Sequence, residues 1–290
     1  MKFPFRKSEN QAIMKQTQRK NTFIQEDRKH LLTATNNFFI REAYKTLRTN
    51  VMFSLTGEEN AKVVAVTSSQ QSEGKSITAL NLAISFAQTD RKVIILDCDL
   101  RRPKLARLLQ MTNTVGLSNL LMDPSLKDLA IVHSGIHNVD VVLSGDIPPN
   151  PSELLSSPRM QRLLKELKEQ YDFVVLDTPP VNVVIDAVVL APNVDGVLFV
   201  VRSDQSERGS VTHAVEQLKY ANAKILGFVL NGVQLENTNY GYGKYKYGRH
   251  RRYGYGYGKY GYAKYGYTKY DTSKAKVKND TPQQKKDEAK

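Results

Sequence analysis

Short runs of β-branched and aliphatic residues recur along the middle of the chain: KVVAVT (62–67), KVIIL (92–96), VDVVL (139–143), FVVLD (173–177), GVLFVV (196–201) and ILGFVL (225–230). They are continuous rather than alternating, which is the pattern of strands buried on both faces. Between and after them lie stretches with helical spacing of apolar residues: Ser76–Gln88, Pro158–Gln170, Val184–Leu190 and Glu207–Ala221. Strands alternating with helices predict an α/β fold, one doubly wound, mostly parallel sheet with helices on both faces. Ahead of the first run, Asn37–Leu55 (NFFIREAYKTLRTNVMFSL) reads as an amphipathic helix, expected to pack on the sheet or on a neighbouring subunit. In PPNPSELLSS (148–157), Asn150 as N-cap, Pro151 at N1 and Glu153 at N3 predict a short capped helix.

The pattern fails at the ends. Twelve of the fifteen tyrosines are Tyr240, Tyr242, Tyr245, Tyr247, Tyr253, Tyr255, Tyr257, Tyr260, Tyr262, Tyr265, Tyr267 and Tyr270, set among Gly, Lys and Arg without aliphatic partners. Such a segment buries too little apolar surface to offset its ordering entropy, so it is expected to be disordered. The chain therefore divides into a basic flexible segment (1–36), a folded body (37–236) and a Tyr/Gly/Lys-rich tail (237–290). A row of accessible phenols suits two uses, stacking on nucleic acid or accepting phosphate.

Charge helps to choose between them. Residues 1–30 carry +5, 240–270 carry +8 and 271–290 carry +2, against a total of +13, so residues 31–239 sum to −2. The basic character belongs to the ends, where it keeps an aromatic tail soluble or near an anionic membrane surface. Nucleic acid is not expected as a partner. The single cysteine, Cys98, precludes an internal disulfide, and no apolar run is long enough to span a membrane. The start, MKFPFRKSENQ, has no hydrophobic stretch behind its charges, so a soluble cytoplasmic chain is expected. His133 and His137 flank Gly135 and read as loop or turn residues rather than metal ligands.

The first apolar run ends in TSSQQSEGKS. Gly74-Lys75-Ser76, directly after a buried strand and opening a helix, is the core of a phosphate loop, in which backbone N–H groups and the helix start cradle phosphate oxygens. Ser72, Glu73, Gly74, Lys75, Ser76 and Ile77 are the candidate nucleotide-binding set. Lys75 would reach the β/γ-phosphates and Ser76 would ligate Mg²⁺, so ATP and Mg²⁺ are the expected cofactors. The full pattern places glycine at position 69, where this chain has Ser69. The second run ends VIILDCDLRRP and brings Asp97 and Asp99 to the carboxyl edge of the sheet, where ligands of open α/β sheets bind. The fourth ends FVVLDTPP and brings Asp177 there, as an acidic support for Mg²⁺. Cys98, between two aspartates, is expected to point into the sheet as a small core residue. Arg101 and Arg102 suit a phosphate clamp or a solvated surface.

The order GKS, LDCDLR, LDTPP and then a C-terminal tyrosine cluster resembles the bacterial tyrosine kinases of capsule and exopolysaccharide synthesis, in the Gram-positive form made as a separate cytoplasmic chain. The resemblance covers residues 37–270 and implies a P-loop NTPase fold of the deviant Walker type. It implies Lys75, Asp97, Asp99 and Arg101 as catalytic residues and Ser76, Asp99 and Asp177 around the metal. The twelve tail tyrosines would be the phosphoacceptors. It further implies a ring-like homo-oligomer through a helical ExxRxxR motif that falls on Glu42, Lys45 and Arg48. Its expected partners are a transmembrane activating adaptor, which would recruit the chain to the inner face of the membrane, and a tyrosine phosphatase. The chain departs from the pattern at Lys45, in place of arginine, and at Gln71-Ser72, in place of Pro-Gly. If position 72 requires positive φ, serine costs about 1 kcal/mol there. Two other readings remain: a partitioning or division-site ATPase of the same fold, and a tail that binds RNA or self-associates through Tyr and Arg stacking.

Overall fold

The structure, a computed structural model, describes residues 29–33, 35–55, 62–112 and 114–233. All twelve candidate phosphoacceptors and the first 28 residues lie outside the described residues. Strands β1 (Lys62–Ser68), β2 (Val93–Asp97), β3 (Ile131–Ile136), β4 (Val139–Val142), β5 (Phe173–Asp177), β6 (Gly196–Arg202) and β7 (Ile225–Asn231) form one sheet in the order β3-β4-β2-β5-β1-β6-β7. Every neighbouring pair is parallel except β3 with β4.

The central strands β1, β2 and β5 are buried along their whole length, as continuous Val/Ile/Leu runs require. Helices α1 (Phe38–Ser54), α2 (Lys75–Ala87) and α3 (Leu105–Leu109) cover one face. The other is covered by α4 (Leu117–Met122), α6 (Pro151–Leu155), α7 (Pro158–Gln170), α8 (Asp186–Leu190) and α9 (Arg208–Tyr220), with α5 (Lys127–Ala130) leading into β3. The predicted doubly wound sheet is therefore present. On the α2 face, Phe86 stacks on Phe173 with ring centroids 3.8 Å apart, which ties α2 to the start of β5.

Helix α1 starts at Asn37, whose side chain accepts the Phe39 N–H at 2.9 Å as an N-cap. It packs mainly on α2 rather than directly on the sheet: Arg48 Nη1 donates to the Ser85 carbonyl at 2.6 Å, and Ser85 Oγ donates to the Tyr44 carbonyl at 3.2 Å. Asn81, buried on α2, accepts the Leu32 N–H at 2.7 Å and fixes the segment before α1.

Two expectations change. The sequence IVHSGI forms β3, an antiparallel edge strand, so His133 lies in a strand and not in a loop. Its register shifts between His133 and Ile136, around Gly135 at φ 80, and Asn138 at φ 58 closes the return to β4. The helix Pro151–Leu155 forms as expected, but the Asn150 side chain makes no capping bond; only its carbonyl accepts the Leu154 N–H, at 3.2 Å.

Candidate active site

Residues 68–74 join β1 to α2 over the carboxyl edge of the sheet. Ser72 sits at φ 65 and Gly74 at φ 93. A Cβ on Gly74 would lie 1.9 Å from Asn231 Nδ2, the end of a side chain that can move, so it is the backbone angle that requires glycine there. Position 72 does adopt the positive φ on which the cost of serine depends. Lys75 and Ser76 open α2 and are both buried; the N–H groups of a first helical turn have no intrahelical acceptor and face an incoming anion. Glu73, placed by sequence in the nucleotide-binding set, turns its side chain back into the loop: its carboxylate accepts Ser69 Oγ at 2.8 Å and the Gln70 N–H at 2.6 Å.

β2 and β5 are adjacent, with Asp97 and Asp177 directly paired in register, so the sheet itself brings two of the three predicted carboxylates together. Asp97 is fully buried, accepting the Leu105 and Lys104 N–H groups on Oδ2 at 3.0 and 3.2 Å and the Asp99 N–H on Oδ1 at 3.3 Å. Burial and the Asp177 charge push its carboxyl up to about 8. Asp99 accepts Lys75 Nζ at 2.9 Å on one oxygen and the Arg102 N–H at 3.0 Å on the other. Asp177 is fully buried with Lys75 Nζ 3.6 Å from its Oδ1, and neither of its oxygens has a hydrogen-bond partner. Burial raises its carboxyl, opposed by Lys75 and by the nearby Ser76 hydroxyl, which faces it without completing a hydrogen bond. For Lys75, burial lowers the ammonium, but Asp177 and Asp99 outweigh it and the net direction is up.

Three carboxylates around one ammonium leave two negative charges in excess when ionised, which a divalent cation would balance. Among the described residues no group of three His, Cys, Asp or Glu side chains could hold a metal ion by itself. That suits Mg²⁺, which keeps waters and takes one or two carboxylates plus substrate phosphates. Ser76, Asp99 and Asp177 are the residues that fit it.

Arg101 is turned away from the carboxylates toward a site that the sequence did not reveal. Its Nε and Nη2 donate to Asp186 Oδ2 and Oδ1 at 3.0 and 3.2 Å, and Ser152 Oγ donates to Asp186 Oδ1 at 2.7 Å. This bidentate pair joins the loop after β2 to α6 and α8, and the hydrogen bond to Asp186 raises the guanidinium further. Arg102 reaches the phosphate loop, with Nη1 donating to Gln71 Oε1 at 2.8 Å. Cys98 is buried as expected, and burial pushes its thiol well up, leaving it inert. Of the predicted oligomer residues, Lys45 and Glu42 pair with each other at 2.7 Å on the exposed side of α1, whereas Arg48 is bound inward to Ser85.

Comparison with known proteins finds relatives of the body that carries this site. The family model described as an AAA domain matches residues 61–226. Tyrosine-protein kinase YwqD of Bacillus subtilis is 42% identical over 202 residues, 69% of this chain and 85% of YwqD. Tyrosine-protein kinase CpsD of Streptococcus agalactiae is 36% identical over 209 residues, 70% of this chain and 90% of CpsD. Among solved structures, the kinase domain of the Escherichia coli tyrosine kinase ETK superposes with a TM-score of 0.65 at 36% identity, over 71% of this chain and 80% of that one.

Proposed function

Because the chain belongs to the bacterial tyrosine-protein kinases, and is itself a protein-tyrosine kinase, we propose that its acceptors are the twelve tyrosines from Tyr240 to Tyr270. They are phosphorylated by ATP in trans within a homo-oligomer, and this regulates synthesis and export of capsular or other exopolysaccharide. The observation that carries the site assignment is the pair of unpartnered Asp177 oxygens beside Lys75, in front of a loop that presents backbone donors to phosphate. A buried carboxylate with no hydrogen bond, and only an ammonium shared with Asp99 beside it, is completed by a further cation.

In this reading the loop amides and Lys75 hold the β- and γ-phosphates, Lys75 leaving Asp99 to do so. A magnesium ion held by Ser76, Asp99 and Asp177 would supply charge neutralisation along the phosphates. The phenolic oxygen attacks the γ-phosphorus, the bond to the β–γ bridging oxygen breaks, ADP leaves, and the phenolic proton passes to Asp97. With its carboxyl near 8, Asp97 has a proton affinity suited to that task around neutrality. Its present bonds to Lys104 and Leu105 have to loosen for the phenol to reach it. Those same bonds favour a second reading, in which Asp97 only shapes the 99–105 loop. Arg101 orders the loop that carries Asp99 and is available to the transferred phosphate if it leaves Asp186. Positioning and electrostatics supply most of the rate, as expected for phosphoryl transfer.

Among the described residues no helix is long and apolar enough to cross a membrane, so recruitment to the inner face of the membrane is assigned to a transmembrane adaptor whose cytoplasmic end docks near the nucleotide edge. A tyrosine phosphatase resets the tail. Purified protein incubated with Mg·ATP, with and without an adaptor peptide, and read by intact mass and peptide mapping tests the proposal. Mass steps of phosphotyrosine confined to the tail are expected; steps elsewhere, or none, refute it. Changing Glu42 and Lys45 together to alanine is expected to shift the protein toward monomer in light scattering and slow tail labelling. Unchanged mass and rate would remove α1 from the assembly.

A further inference from the structure

Two residues of the phosphate loop do not favour its shape. Ser69 stands where the full pattern has glycine, and Ser72 holds φ 65, a left-handed angle that costs an L-residue about 1 kcal/mol. The shape is therefore imposed from outside the loop's own backbone preferences. Glu73 is fully buried, and its carboxylate accepts from three groups: Ser69 Oγ (2.8 Å to Oε1, 3.1 Å to Oε2), the Gln70 N–H (2.6 Å) and the Ser206 hydroxyl. Its carbonyl accepts Asn231 Nδ2 at 3.0 Å. Two further donors hold the same turn, Gln205 Nε2 to the Gln71 carbonyl at 2.8 Å and Arg202 Nη1 to the Ser72 carbonyl at 3.3 Å.

We infer that Glu73 is a positioning residue: its inward carboxylate fixes the turn that glycine would otherwise make at position 69, with Ser206 and Asn231 as outer supports. The inference rests on the reading of residues 69–77 as the site of the ATP phosphates. An acidic side chain two positions before Lys75 would repel a polyphosphate if it faced outward. Committed to donors inside the loop, it instead orients the backbone N–H groups that do the binding. Ser206 and Asn231 lie 133 and 158 residues away in sequence, so the loop is stitched to the ends of β6 and β7, and its geometry depends on both.

The test measures the Kd of Mg·mant-ADP, and KM and kcat for ATP in tail labelling, at a temperature where circular dichroism shows each variant folded. Glu73→Ala is expected to raise Kd and KM about 10-fold while kcat at saturating ATP falls less than about 3-fold. Glu73→Gln should stay within about 3-fold of wild type, since its amide oxygen can accept the Gln70 N–H and its amide group can donate to the two hydroxyls. Adding Ser72→Gly to Glu73→Ala should recover part of the lost affinity, because glycine takes φ 65 freely. Wild-type Kd and KM in Glu73→Ala, or Glu73→Gln as impaired as Glu73→Ala, would overturn the inference. If Glu73→Ala does not fold, Ser206→Ala decides: a rise of about 3-fold in Kd supports it and no change overturns it. Wild-type protein that binds mant-ADP in a Glu73-dependent way but labels no tyrosine would sink the proposed acceptors and leave the loop inference standing.

Discussion

The two loops that meet over the carboxyl ends of β1 and β2 are held by different physics. Residues 68–74 are held by short hydrogen bonds from Ser69, Gln70, Gln205, Ser206 and Asn231, each donor matched to an acceptor. Residues 97–105 are held around a charge set, with Lys75 shared between Asp99 and Asp177 and with Asp97 buried beneath them. The first loop is set before nucleotide arrives. The second has more carboxyls than its one ammonium can balance, an excess met by retained protons until a cation arrives.

The sharpest way to break this contrast is to remove the one ammonium. Lys75→Met is expected to lower tail labelling about 10³-fold, because the transferring phosphoryl loses its buried positive charge; labelling at the wild-type rate would mean another kinase in the preparation is responsible. From sequence, Lys75 is a charge and not a packing element. The structure adds that it is buried against two carboxylates, so the variant should also lose stability as pH rises.

Stability against pH separates the two loops next. Asp97 is pushed up to about 8 and Asp177 is raised as well, whereas an unfolded aspartate titrates near ~3.9. Between those values the folded state holds protons that the unfolded state has released. The contribution of these two carboxyls to folding stability is therefore fully present below about 4 and is lost as pH climbs toward 8. Urea unfolding of nucleotide-free protein across this range should show the fall, and Asp97→Asn should flatten it. Parallel slopes for the two proteins would remove Asp97 from the effect.

Asp177→Asn tests the unpartnered oxygens directly. It should leave the stability of nucleotide-free protein within about 1 kcal/mol of wild type, since the amide removes a buried carboxylate that lacks a hydrogen bond but also the ion pair with Lys75. It should weaken Mg·nucleotide binding more than Asp97→Asn does. Equal losses in the two variants would end the division between a metal-supporting and a proton-accepting aspartate.

The smallest effect belongs to the hydrogen-bonded loop. Ser72→Gly relieves about 1 kcal/mol of strain and returns roughly half of it through the greater entropy of the unfolded chain. A gain of about 0.5 kcal/mol with no change in pH dependence is expected in the same unfolding experiment. A loss would mean that the serine contributes something beyond its backbone angle.

What the sequence made legible follows the same divide. The buried central strands announce themselves as continuous apolar runs, and FVVLD matches β5 residue for residue. Edge strand β3 does not, because IVHSGI is half-exposed, carries a histidine and a glycine, and is ordered by its hairpin with β4. The short helices α3, α4 and α5 were likewise invisible, being too brief for periodicity to register. At the site, Gly74-Lys75-Ser76, Asp97, Asp99 and Asp177 could be read because each sits at a strand end or helix start fixed by local pattern. The distant supports of Glu73, Ser206 and Asn231, and the Arg101–Asp186–Ser152 group could not, since contacts across 34 to 158 residues leave no local signature.

β7 ends at Asn231, whose side chain donates to the phosphate loop. Tyr240 is nine residues farther on in sequence, which bounds its distance from Asn231 at about 30 Å. Asp177 on β5 lies three strand spacings away, about 14 Å. Length alone therefore permits a molecule to serve itself at an effective concentration in the millimolar range. Transfer between molecules has to outrun that leash, which chance collision at micromolar protein does not do and a standing assembly does. Dilution below the point of assembly should thus turn labelling of Tyr240 from a reaction between neighbours into a first-order one.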